Sequence, residues 1–145
     1  MRIAIGSDHG GFDQKEVIIK HLKEKGYEVQ DVGTYSKDSS HYPIFGAEVG
    51  KLVASKQCDF GIVVCTSGEG IAIAANKIKG IRCGIGYNDE VARLMRQHND
   101  ANVIAFGAKF MADEDVIRRV DVFLSTEFEG GRHAERVKII SNLEN

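Results

Sequence analysis

The chain has 145 residues, 43% hydrophobic and 28% charged, with a formal net charge of −2 and three cysteines. That length and balance fit one globular domain with a sizeable core, and the near-neutral charge gives no reason to expect nucleic acid or an anionic membrane as partner. An odd cysteine count without zinc-ligand spacing argues against a disulfide framework or a metal site. The longest apolar stretches fall far below the ~20 residues of a membrane span, and Met1 to Ile5 reads as a strand rather than a leader, so the expected location is cytoplasmic.

Arg2–Ser7 is predicted as the first strand, running into Asp8-His9-Gly10-Gly11. Val17, Ile18, His21 and Leu22 recur at helical spacing, and Gly26 stops that helix. Tyr27–Val32 reads as a second strand, and Gly33 to Tyr42 as a polar loop. Pro43, the only proline, fits the first position of a helix running to about Ser55. Asp59–Val64 is the third strand, followed by a glycine loop and a helix start at Ile71–Ala75. After a turn at Lys79-Gly80 come a fourth strand, Ile81–Ile85, and a helix over Asn88–Gln97. Asn102–Phe106 is the fifth strand, and Asp113–Ser125 another helix. Gly130-Gly131 then breaks the chain before a last amphipathic helix at about His133–Leu143. Five short apolar strands alternating with helices predict an α/β domain with a parallel sheet and helices on both faces. No repeat or linker divides residues 1–145, so a single domain is expected.

Residues 61–77, Gly-Ile-Val-Val-Cys-Thr-Ser-Gly-Glu-Gly-Ile-Ala-Ile-Ala-Ala-Asn-Lys, carry the first candidate site. A buried strand ends at Cys65, a loop with Gly68 and Gly70 follows, and a helix begins, aiming free amides and the helix dipole at one small volume. Such a loop holds an anion or a developing oxyanion, and the same field favours the thiolate of Cys65. The plain alternative is a small buried cysteine. With a histidine nearby, Cys65 serves covalent catalysis or proton abstraction, of which the base is the preferred reading. Cys58 and Cys83 lack those neighbours and read as structural.

Ligands of open parallel sheets bind beyond the carboxyl ends of the strands. Asp8-His9, Cys65–Gly70, Tyr87-Asn88 and Gly107–Lys109 all lie there. Asp8 can orient its neighbouring imidazole, or cap a turn beside an exposed histidine. His98-Asn99 closes a helix, where a cationic histidine also suits the dipole. Arg132 and Arg136 share a helix face next to Gly130-Gly131, forming either a phosphate clamp or a solvated basic edge, with Lys109 as a further cation. Gly68-Glu69-Gly70 also begins a G-x-G-x-x pattern, but Ile73 stands where a dinucleotide fingerprint needs Gly or Ala.

Gly6-Ser7-Asp8-His9-Gly10-Gly11, His41-Tyr42-Pro43, Cys65-x-x-Gly-x-Gly, Ile73-Ala74-Ala75-Asn76-Lys77, His98-Asn99-x-x-Asn102 and Gly130-Gly131-Arg132-His133-x-x-Arg136-Val137 together resemble the ribose-5-phosphate isomerase B / galactose-6-phosphate isomerase family. The resemblance runs from residue 2 to about 140. It implies a Rossmann-like three-layer sandwich with a five-stranded parallel sheet, a homodimer or dimer of dimers with shared active sites, and no metal or organic cofactor. The last helix is expected to pack on or near the partner subunit. The implied chemistry is aldose–ketose isomerisation of a sugar phosphate through a cis-enediolate. The preferred pair is ribose 5-phosphate and ribulose 5-phosphate, with six-carbon aldose phosphates (galactose 6-phosphate or allose 6-phosphate) as the alternative.

Carried onto matching positions, Cys65 resembles the base and Ser67 its assistant, and the backbone of Ser67, Gly68, Glu69 and Gly70 resembles the anion hole. His98 corresponds to the ring-opening residue, with Asp8 on a ring hydroxyl, Asn99 nearby and Tyr42 lining the pocket. His9, Lys109, Arg132 and Arg136 correspond to phosphate ligands. The resemblance has His98, Asn99 and Lys109 reach across the dimer interface. The loop departs from the common Cys-Gly-Thr-Gly-x-Gly at Thr66 and Ser67, and Glu69 adds a charge. In a branch lacking this cysteine, a glutamate just after the last glycine is the base; here that position is Ile71. A non-catalytic nucleotide- or sugar-phosphate-binding module is the reading from another class.

Overall fold

The computed structural model describes residues 1–144. The strands β1 (Arg2–Ser7), β2 (Glu28–Asp31), β3 (Phe60–Cys65), β4 (Cys83–Ile85) and β5 (Val103–Gly107) form one parallel sheet in the order β2-β1-β3-β5-β4. The helices are α1 (Phe12–Glu24), α2 (Tyr42–Ala54), α3 (Glu69–Asn76), α4 (Asp89–Gln97), α5 (Asp113–Ser125) and α6 (Arg132–Asn142). No helix among the described residues is long and apolar enough to cross a membrane.

Alternation along the central strands divides the core between the two faces. Ile3, Ile5, Ile62, Val64, Ile104 and Phe106 point toward α1, α4 and α5, whereas Ala4, Val63, Cys65 and Ala105 pack with residues of α2 and α3. Burying residues on both sides of β1, β3 and β5 explains why these strands read as continuous apolar runs. The result is the three-layer sandwich expected from the sequence.

Boundaries move where side chains substitute for the ladder. The fourth strand is expected from Ile81 but pairs only from Cys83, because the Arg82 amide donates to Asn102 Oδ1 (2.8 Å) instead. Asn76 then grips the Cys83 backbone with both ends of its amide, at 2.7 and 3.0 Å. Asn76 and Asn102, both in the motifs quoted above, are thereby accounted for as substitutes for backbone pairing near the sheet edge. On the other flank β2 stops at Asp31, whose carboxylate receives Nζ of Lys15 at 2.8 and 2.9 Å. Lys15 is fully buried, and this pairing offsets the desolvation of its charge.

Candidate active site

The sheet order reverses between β1 and β3, and a cavity of about 300 Å³ lies beyond their carboxyl ends, lined by Asp8, Tyr42, Cys65, Thr66, Ser67 and Gly70. Cys65 is the last residue of β3, is 5% exposed, and its Sγ accepts the Gly68 N–H at 3.2 Å. Gly68 turns the chain at φ +84°, a left-handed conformation that strains any residue with a Cβ. It also lies so close to β5 that a Cβ would stand 3.0 Å from the Gly107 nitrogen. Gly107 answers the same constraint from the other side, where a Cβ would meet the Ser67 carbonyl oxygen at 2.3 Å. The Ala108 and Lys109 amides donate to the carbonyls of Cys65 and Thr66 at 2.9 and 3.1 Å, so the loop is pinned along its length.

Two of the four amides expected in the anion hole are engaged elsewhere. That of Gly68 is turned to the sulfur, and that of Glu69 donates to Ser67 Oγ at 3.2 Å. The amide of Gly70 lies ahead of the first helical bond, Ala72 N–H to the Gly68 carbonyl. Glu69 does not line the cavity; it is exposed in the first turn of α3, where a carboxylate suits the dipole. Tyr42 closes the other wall over Gly70, where a Cβ would lie 2.6 Å from the ring. Asp8 is 6% exposed and caps the following turn through Oδ1, which accepts the Gly11 N–H at 3.2 Å. His9 is exposed on that turn, paired with Ser40.

The remaining candidates stand at the opposite edge of the sheet. Helix α4 leaves the carboxyl end of β4 and returns to the start of β5, a descent of about 14 Å. His98 and Asn99 therefore lie at the amino edge, with Arg132 and Arg136 exposed on α6, which starts where α5 has returned to that edge. The Glu129 amide donates to the Gln97 carbonyl at 3.1 Å and ties these segments together. Lys109 does not join them: its backbone sits beside Thr66 in its own chain, although the family resemblance has it serve a partner. Tyr87 and Asn88 also lie apart from the cavity. They follow β4 at the sheet edge, and Asn88 Oδ1 caps α4 at the amides of Glu90 and Val91.

Around His98 stand two residues without an assigned role in the sequence reading. His133 stacks on it with ring centroids 4.2 Å apart and planes 13° apart, and Glu129 Oε1 lies 3.6 Å from Nε2 of both. Burial, then the neighbouring His98 and Arg132, hold His133 below the usual imidazole range. Among the described residues these three form the one group with metal-ligating atoms this close. An ion about 2.0–2.1 Å from two imidazole nitrogens must lie near both ring planes, which stacked parallel rings do not allow.

A second cavity, about 400 Å³, is larger and includes Cys83, Met95, Asn99 and Ile140. Burial pushes the Cys83 thiol up to about 12, so it stays protonated, and burial likewise raises Cys58. Chemistry, rather than size, selects the cavity at Cys65.

A strand-end cysteine beside an amide-rich glycine loop, in an open α/β sheet, defines a class of domain that binds a small anionic molecule at its carboxyl edge. Comparison with known proteins narrows the class. The family model described as Ribose/Galactose Isomerase matches residues 3–140, and the chain belongs to that family. It is 45% identical to ribose-5-phosphate isomerase B of Escherichia coli over 143 residues, covering 99% of this chain and 96% of that protein. The structure of ribose-5-phosphate isomerase B from Clostridium thermocellum superposes with a TM-score of 0.98 at 49% identity, covering 99% and 97% of the two chains. That of the Mycoplasma genitalium enzyme with bound ribulose-5-phosphate gives 0.95 at 39% identity, covering 99% and 95%.

Proposed function

We propose that the chain interconverts ribose 5-phosphate and ribulose 5-phosphate in the cytoplasm, through a cis-enediolate, with Cys65 as the base. The observation that carries this reading is the placement of Cys65: a nearly buried sulfur at a strand end, facing a cavity and held by a backbone amide. In the reaction Cys65 takes the proton from C2 of the open aldose and returns it to C1, while Ser67 assists at the oxygens. The amides of Ser67 and Gly70, fixed before substrate arrives, stabilise the enediolate oxygen without reorganising. Asp8 holds a ring hydroxyl, and Tyr42 lines the sugar.

Ring opening by His98, with Asn99 beside it and Arg132 and Arg136 on the phosphate with His9, requires both sheet edges at one substrate. The separation of those edges supports a homodimer in which each site combines the carboxyl edge of one copy with the amino edge of another. Lys109 completes the phosphate contacts from the carboxyl edge.

Purified protein is to be assayed with ribose 5-phosphate, allose 6-phosphate and galactose 6-phosphate. The highest kcat/KM is expected on ribose 5-phosphate. A preference for either hexose phosphate moves the assignment to six-carbon substrates, and binding without turnover of any of them overturns the isomerase. Cys65→Ala should lower kcat by roughly 10²–10⁴-fold, and undiminished turnover removes Cys65 as base.

A further inference from the structure

We propose that Ser40 is a positioning residue that holds His9 in one tautomer, with the ring proton on Nε2, so that His9 meets the substrate as a pure hydrogen-bond donor. The inference deepens the function proposed above and rests on it for the identity of the acceptor, a phosphate oxygen.

The two residues are 31 apart in sequence and joined by a reciprocal pair of hydrogen bonds. The His9 backbone N–H donates to Ser40 Oγ at 3.1 Å, and the Ser40 backbone N–H donates to His9 Nδ1 at 3.1 Å. A backbone amide has a proton to give and no lone pair to accept with. Nδ1 is therefore the acceptor, and the proton of the neutral ring is left on Nε2. Among the described residues Nε2 has no hydrogen-bond partner of its own, and the ring is exposed on the turn that follows Asp8.

The loop that carries Ser40 is anchored where a clamp needs it. Its start is tied to the end of β1 by Ser7 N–H to the Gly33 carbonyl (2.8 Å) and Thr34 N–H to the Ser7 carbonyl (2.7 Å). Asp31, neutralised by buried Lys15, also accepts the Gly33 amide at 2.9 Å. Midway, Lys37 reaches Asp13 at 3.0 Å, across the same turn. Ser40 thus arrives at His9 from a loop already fixed to β1 and α1.

The tautomer has a consequence for specificity. Phosphate oxygens only accept hydrogen bonds, whereas a sugar hydroxyl can also donate one. With Nδ1 occupied and Nε2 protonated, His9 favours an acceptor-only group and offers no lone pair to a hydroxyl. Ser40 thereby contributes to choosing phosphorylated over unphosphorylated sugars while touching neither.

The test reads the tautomer directly. Full-length protein labelled with ¹⁵N-histidine is observed by long-range ¹H–¹⁵N NMR near neutral pH, with His9→Asn identifying the His9 signals. The expected pattern is the Nε2–H tautomer alone in the wild type and in Ser40→Ala, which keeps the backbone donor, and a measurable Nδ1–H fraction in Ser40→Pro, which has none. An Nδ1–H tautomer in the wild type overturns the inference, and so does an unchanged tautomer in a folded Ser40→Pro. Even if that variant does not fold, the ¹H–¹⁵N spectrum still tests the bond: a wild-type Nδ1 shifted as a hydrogen-bond acceptor is expected, and a free Nδ1 overturns the inference. In turnover, folded Ser40→Pro should raise KM for ribose 5-phosphate about fivefold, the worth of one hydrogen bond, and change kcat less. Titration with inorganic phosphate separates the two levels. A His9 Nε2 signal that ignores phosphate overturns the assignment of His9 to the phosphate, and with it the specificity role, while the tautomer result stands on its own.

Discussion

The two edges of the sheet are built on opposite principles. At the carboxyl edge, Cys65, Ser67 and the glycines are held by backbone hydrogen bonds and by contacts too close for a Cβ, and both Asp8 and Cys65 are nearly buried. Its proposed phosphate ligands are Lys109 and a histidine set up as a donor. At the amino edge, Arg132 and Arg136 are exposed and His98 is half-buried, beside Glu129 and His133. In the proposed reaction the first edge stabilises the oxyanion and moves the proton, while the second opens the ring and adds its arginines to the phosphate. The two sets complement one another, which supports the proposed pairing of edges from two copies.

The sharpest way to break the carboxyl edge is to move its backbone. Gly68→Ala puts a Cβ on a left-handed residue, costing about 1–2 kcal/mol in strain, and presses it against Gly107. Because the loop positions the reacting groups, a displacement near 1 Å is expected to lower kcat about 100-fold. Steady-state kinetics with a urea melt separates that loss from unfolding, and a normal kcat would show that the loop does not position the reaction. At the amino edge the expected signature is different. Arg132→Ala or Arg136→Ala should raise KM roughly tenfold, the loss of a charge-assisted bond to phosphate, with a smaller effect on kcat. A change in kcat alone would contradict the division of labour between the edges.

The smallest effect is expected in the pH dependence of stability. Burial first, then the neighbouring His98, Arg132 and Arg136, hold His133 below the ordinary imidazole range, with Glu129 opposing. The unfolded chain then takes up a proton that the folded one resists, so stability falls as pH drops through about 6.5 and is unaffected above it. His133→Gln should flatten that acid-side slope in urea midpoints, and an unchanged slope would remove His133 as its source.

Much of the carboxyl edge was legible in the sequence, since a β-branched run, a cysteine, two glycines and an alanine-rich segment specify strand, turn and helix locally. The same logic located the strands but missed contacts that depend on distant partners. Nothing local marks Gly107 as the residue that lets the Cys65 loop approach β5, or Ser40 as the partner of a histidine 31 residues away. Asn76 and Asn102 read as motif residues and prove to substitute for backbone pairing. The separation of His98 from Cys65 follows from counting elements, because a helix leaving the carboxyl edge must end at the other. Glu129 and His133 emerge only once α4 and α6 are seen to meet.

The pairing of edges is tested most directly by complementation. Cys65→Ala and His98→Asn, each expected to be strongly impaired alone, are co-expressed with different tags and the mixed dimers purified. In such a dimer one site carries both substitutions and the other carries neither, so about half of wild-type activity is expected, and about a quarter from an unsorted mixture. Activity no greater than that of the two parents would contradict the account and place a complete site within each chain.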